Sequence, residues 1–149
     1  MTEIIVYTIG FTQKSAERFF GLLAESGADR IVDVRSNNTS QLAGFAKRDD
    51  LRYFARALCG VDYVHLPELA PTKEILDAFK KHGGNWETYR DRFLELLDER
   101  QVERSVPKEW IDRGCLLCSE HMPDRCHRAL VAEYLASRWS ERVTVRHLF

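Results

Sequence analysis

The sequence contains no run of about 18 or more apolar residues, so it offers no membrane-spanning helix. No leader is expected either. Met1-Thr-Glu-Ile-Ile-Val-Tyr7 has no basic segment ahead of an apolar stretch and reads as a strand. One-sided charge is also missing. Twenty-two basic residues face 23 acidic ones, for a formal net charge of -1. So even a balance gives no global field for DNA, RNA or an anionic lipid surface, and leaves room only for a local nucleic-acid contact. There is no linker, repeat or low-complexity stretch, and 149 residues suit one domain, 1–149. Cysteine is scarce. In a chain expected in the reducing cytoplasm, Cys59, Cys115, Cys118 and Cys126 read as free thiols, metal ligands or reactive thiolates rather than a disulfide framework.

What is present is a core and an alternation. The chain is 44% hydrophobic, and five short β-like runs are separated by helical patterns. The runs are Ile4 to Thr8, Arg30 to Val34, Asp62 to Leu66, Cys115 to Cys118 and Val143 to His147. They are nearly continuous in apolar residues, as strands covered on both faces are. Ser15 is placed to cap a helix that buries Phe19, Leu22 and Leu23 and stops at Gly27. Asp49 or Asp50 is expected to cap the next, with Leu51, Phe54, Ala55 and Leu58 inward and Gly60 at its end. Further helices are expected over 73–81, over Trp86 to Arg100, in a short turn after Pro107, and from about Arg125 onward. Strands alternating with helices imply an α/β fold of three layers, α/β/α. The mostly parallel sheet would have about five strands, with ligands beyond their carboxyl ends.

The densest chemistry follows the fourth strand. Cys118 ends it, Ser119-Glu120-His-Met-Pro-Asp124 forms a loop, and Arg125-Cys126-His127-Arg128 opens a helix. A helix N-terminus favours anions and lowers the pKa of a nearby thiol. Cys118 or Cys126 is therefore a candidate nucleophile, Glu120 a candidate acid/base, and Arg125 or Arg128 a candidate holder of an anion. Protein phosphatases and rhodaneses place a reactive cysteine at this point of a strand–loop–helix unit. Phosphatases need five residues between cysteine and arginine, whereas six separate Cys118 from Arg125. A metal reading competes. Cys115 and Cys118 are expected on opposite faces of a strand, which breaks a four-ligand zinc set, but Cys118, Cys126 and His127 remain a candidate set. Cys59 and Cys115 are expected simply to pack as small hydrophobes.

Other segments offer polar groups at the same rim. Asp33 and Arg35 share one strand face, with Val34 on the other. They are equally compatible with ligand binding and with a structural ion pair. The long connection from Asn37 to Arg48 has the length of a binding lid and carries Lys47. His65 and Glu68 follow the third strand, and a histidine there is commonly a hydrogen-bonded structural residue. Tyr89 and Trp86 open a helix near the expected crevice, with packing as their default role. Gly10-Phe-Thr12 offers backbone amides but no glycine-rich phosphate motif.

Taken in order, Tyr-Thr-Ile-Gly10, Val-Asp33-Val-Arg35-Ser, Tyr63-Val-His-Leu-Pro-Glu68, Leu-Leu-Cys118-Ser-Glu120, Arg125-Cys126-His127-Arg128 and Val-Arg-His147-Leu resemble the domain-of-unknown-function family 488. The resemblance spans almost the whole chain. It implies a compact α/β domain whose matching polar positions are Asp33, Arg35, Lys47, Glu68, Tyr89, Cys118, Glu120, Cys126, His127 and Arg128. It supplies no reaction. Two departures stand out. Phe11-Thr12 replaces the family's His-Ser, and Ala70-Pro71-Thr72 replaces its Gly-Gly-Arg, which removes an anion-binding arginine.

Three functions follow as expectations. The first is a small enzyme or ligand-binding domain acting on a small anionic, phosphate- or nucleotide-like ligand. Cys118, Glu120 and Cys126 would be catalytic, and Asp33, Arg35, Lys47, Glu68, Tyr89, His127 and Arg128 substrate-binding. The second is a non-catalytic nucleotide-sensing or protein-interaction module. The third is a metal protein using Cys118, Cys126 and His127. The sequence assigns no cofactor.

Overall fold

The computed structural model of the chain describes residues 3–39, 44–119 and 126–149. Five strands, β1 (Glu3–Gly10), β2 (Arg30–Asp33), β3 (Asp62–His65), β4 (Gly114–Cys118) and β5 (Arg142–Leu148), form one parallel sheet in the order β3-β2-β4-β1-β5. All five are where the apolar runs placed them, with ends shifted by one or two residues. Because every neighbour is parallel, all five carboxyl ends lie along one rim. The central β4 puts Cys118 in the middle of it, beside Gly10 of β1.

Among the described residues, seven α-helices cover the two faces. Helix α1 (Ala16–Ser26) starts as expected. The Ser15 hydroxyl accepts from the Arg18 amide at 3.1 Å, and Gly27 closes the helix with a positive φ of 88°. Helix α2 (Arg48–Phe54) departs from expectation. Its cap position is Lys47, and Asp49 and Asp50 sit in its first turn, where their charges suit the helix dipole. It continues as a wider π turn, Ala55–Cys59, that rotates Leu58 outward to 62% exposure instead of inward. The remaining helices are α3 (Lys73–Lys80), α4 (Trp86–Arg100), α5 (Val102–Ser105), α6 (Lys108–Ile111) and α7 (His127–Arg138).

The alternation of side chains along the strands sorts the core into two. Tyr7, Ile9, Ile31, Cys115 and Leu117 point to one face and pack against Phe19, Phe20 and Leu23 of α1 and Leu51 of α2. Val6, Val32, Leu116 and Cys118 point to the other and pack against Phe93 and Leu97 of α4 and Val131 and Leu135 of α7. A residue's parity on its strand therefore decides which layer it serves. Among the described residues no helix is long and apolar enough to cross a membrane.

Candidate functional site

The site is built where β4 runs out and α7 begins. Cys118 is the last residue of β4 and faces the α7 layer. Cys126 is the N-cap residue of α7, and both are buried. The two sulfurs converge, and the structure pairs them as a disulfide across eight residues. This differs from the expectation of free thiols, metal ligands or reactive thiolates rather than a disulfide. The strand parity of Cys118 and the cap position of Cys126 aim both side chains into one gap, a convergence that sequence spacing alone does not display. The Cα atoms lie 7.5 Å apart. The usual disulfide span is about 4.4–6.8 Å, so this backbone also accommodates two separate thiols directed at a shared partner.

Arg128, the second residue of α7, is fully buried, and its guanidinium donates to the Cys118 sulfur at 3.0 Å. A cation at that distance stabilises the thiolate over the thiol. His127 is the third member. Its Nε2 donates to the Val34 carbonyl at 2.6 Å, because a carbonyl can only accept. In the neutral ring Nδ1 is then the lone-pair nitrogen. Ligand atoms of Cys118, Cys126 and His127 all lie within 4.8 Å of one another.

A cavity of about 190 Å³ opens onto these three residues. Its wall is made by Leu76 and Phe79 of α3 and Tyr89 of α4, with the exposed Lys80 at the end of α3. Phe79, Trp86 and Tyr89 meet in tilted and edge-to-face contacts with centroids 4.9–5.8 Å apart, and Tyr89, Phe93 and His127 continue the ring contacts toward the thiols. The other two cysteines behave as expected. Burial pushes the Cys115 thiol far up, against a smaller opposing influence from Arg128, and it faces the opposite layer. Cys59 is raised by burial and points its sulfur at the Phe20 carbonyl.

Asp33 and Arg35 form a second polar centre, on the α1–α2 side of the sheet. Arg35 donates through Nε and NH2 to the two Asp33 oxygens at 2.8 and 2.9 Å, and through NH1 to the Ala46 carbonyl at 2.8 Å. Tyr63 and Asn38 add hydrogen bonds to Asp33, and the guanidinium lies over the Phe11 ring. Burial alone would raise the Asp33 carboxyl. The Arg35 hydrogen bonds and charge, helped by Tyr63, outweigh it and hold it below the usual carboxylate range. Two guanidinium nitrogens thus serve Asp33 and the third serves the loop that returns at Ala46, which favours the structural alternative for this pair. His65 is likewise structural, with Nε2 on the Arg35 carbonyl at 2.7 Å.

The structure therefore gathers Tyr89, Cys118, Cys126, His127 and Arg128 and leaves Asp33 and Arg35 on the opposite face. Lys47 and Glu68 are exposed, the first at the start of α2 and the second on a short turn tied to Arg100 through its carbonyl. Glu120 and Arg125 lie outside the described residues. Sequence reasoning missed Leu76, Phe79 and Lys80. Their i, i+3, i+4 spacing was the available signal, but it marks only a buried stripe. It also missed the surroundings of Arg128. Burial and the charges of Arg128 and Arg18 bring Lys14 down to about 8. Burial and Arg128 hold His147, which bonds Thr8 at 2.6 Å, below its usual range.

Searches of curated proteins and of solved structures return no match. A family model, domain of unknown function DUF488, matches residues 15–135, a span that includes α1, the whole of β2 to β4 and the Cys118–Cys126–His127 cluster, and the chain belongs to that family.

Proposed function

We propose that this protein is a thiol-dependent enzyme whose working group is the Cys118–Cys126 pair, acting on a small ligand in the adjoining cavity. The observation that carries this reading is the buried Arg128 guanidinium on the Cys118 sulfur. A guanidinium held against a buried sulfur favours its thiolate over its thiol. In the reduced protein Cys118 attacks one sulfur of a disulfide substrate, forms a mixed disulfide and expels the other half as a thiolate. Cys126, activated by the α7 N-terminus, then attacks the Cys118 sulfur, releases the second half as a thiolate and leaves the Cys118–Cys126 disulfide. Anion holding by Arg35 and Lys47 gains no support from their positions, so the phosphate- or nucleotide-like substrate is not retained here.

The test is the pH profile of Cys118 alkylation in a Cys126→Ser variant, which leaves Cys118 unbridged. Its inflection should fall at least one unit below the free-thiol value of about 8.5. Replacing Arg128 by Lys, which keeps charge but shortens the reach, should move it back up. An inflection at the free value sinks the proposal.

A second reading has its own support. The Nε2 of His127 donates to a backbone carbonyl, which fixes the ring, and Cys118, Cys126 and His127 each offer one ligand atom, all within 4.8 Å of one another, a three-ligand zinc-type set. Protein purified under reducing conditions should then carry close to one equivalent of transition metal, lost in Cys126→Ser. Less than about one-tenth of an equivalent excludes a tight site.

A further inference from the structure

The outer face of α2 carries aromatic and charged side chains in an order that is complementary to itself. We infer that this face is the contact surface for a second copy of this chain, paired antiparallel across a two-fold axis. The thiol site takes no part. Helix α2 belongs to the layer on the other side of the sheet, so pairing there leaves the cavity beside Cys118 and Cys126 uncovered.

The first observation is where the exposed apolar side chains gather. Among the described residues four large ones are exposed, Tyr53, Leu58, Trp110 and Phe149. Tyr53 and Leu58 both belong to α2 and its π turn. Trp110 borders the same surface, since it lines one depression together with Arg52 and Arg56. A second depression is lined by Asp49, Arg52, Tyr53, Arg56 and Ala57. Scattered exposed apolar residues are ordinary, but a tyrosine, a tryptophan and two arginines on one patch have the composition of a binding surface.

The second observation is the order of charges. Asp49, Arg52, Tyr53 and Arg56 follow an i, i+3, i+4, i+7 spacing and so form one stripe, about 10 Å long. A two-fold axis midway between Arg52 and Tyr53 sets Asp49 against the partner's Arg56, and Arg52 against the ring of the partner's Tyr53. Symmetry doubles each contact, giving two carboxylate–guanidinium pairs and two cation–π pairs. A parallel arrangement would set like charges against each other and is excluded. Within one chain Asp49 meets Arg48 and Arg56 meets Asp62, but all four side chains are about half exposed or more, where an ion pair contributes little and leaves room for another partner. A copy of the same chain supplies the complementary order automatically, and this is why a second copy is the occupant. One two-turn helix contact falls below the roughly 1,200 Å² of a standard interface, so the pair is weak, with a Kd of about 1–100 µM.

The experiment is sedimentation of the full, reduced chain at concentrations from about 1 to 500 µM, a range that brackets such a Kd. A reversible monomer–dimer equilibrium is expected. Asp49→Arg and Arg56→Glu should each weaken it at least about tenfold, because each turns two attractive contacts into repulsive ones. Both positions are exposed, and far-UV circular dichroism should match the wild type. Mixed in equal amounts, the two variants should pair with each other about as tightly as the wild type does with itself, since one then offers only cations at these positions and the other only carboxylates. Tyr53→Ala should weaken the wild-type pair. A chain that stays monomeric throughout overturns the inference and leaves this face to a different protein. A dimer that neither charge reversal weakens, or that mixing the two variants does not restore, lies elsewhere on the molecule and overturns it too.

Discussion

Asp33 shows what one buried carboxylate does for this fold. It binds Arg35 in a two-pronged pair, and through Arg35 it fixes the loop that returns at Ala46. Asp33→Ala leaves a buried guanidinium without its countercharge, and urea unfolding should report a loss of about 3–5 kcal/mol. Replacing Asp33 by Leu together with Arg35 by Met should cost less than that single change. The sign with pH follows from the lowered carboxyl. The stabilisation is complete above the ordinary carboxylate value of about 3.9 and drains away as pH falls through the lower folded value, so the wild type should lose this margin in acid and Asp33→Ala should not. Lys14 supplies a second residue-scale test. Near pH 8 it is about half neutral, whereas an ordinary lysine titrates near 10.4. Limited acylation at pH 8 followed by peptide mapping should find Lys14 modified first, and labelling no faster than at exposed lysines would refute the lowered value.

Individual elements differ in how much a small side chain matters to them. A Cβ added at Gly114, the first residue of β4, would stand 2.5 Å from the Trp110 carbonyl oxygen and 2.9 Å from the Val32 side chain. Gly114→Ala should therefore cost about 1–3 kcal/mol, read as a fall of several degrees in Tm. Gly21, inside α1, has nothing within 4 Å of such a carbon, and Gly21→Ala should stabilise by about 0.5–1 kcal/mol. Elements of this kind were largely legible in the sequence. Strand parity alone placed Cys115 and Cys118 on opposite faces, and Ser15 and Gly27 bracketed α1 through local hydrogen bonding and φ preference. The failures came where local rules compete. At α2 two aspartates offered caps, yet the chain starts the helix two or three residues earlier and keeps them as first-turn charges. The π turn after Phe54 then changes the helical phase, so Leu58 left the face that a uniform 3.6-residue period assigns it.

At the scale of the molecule, the sheet acts as a partition. The rim of carboxyl ends was foreseeable from the strand–helix alternation, but its division into two polar centres was not. Asp33 and Arg35 share parity with Ile31, and Cys118 shares parity with Leu116. Strands β2 and β4 align so that these parities face opposite layers. Nor does one sequence announce that α3 and α4 will meet to wall a cavity against α7, since that depends on tertiary packing between segments about 40 residues apart. What the partition isolates on the α7 side is a pair of sulfurs, a buried arginine and a histidine, and the account rests on the two sulfurs acting as one unit. The most direct measurement equilibrates the protein in glutathione buffers of graded potential and follows each cysteine by alkylation and mass spectrometry. Cys118 and Cys126 should be lost together in a single two-electron transition with a mass change of about −2 Da, while Cys59 and Cys115 stay reduced. Separate glutathione adducts on Cys118 and Cys126, with no internal bridge at any potential, would contradict it.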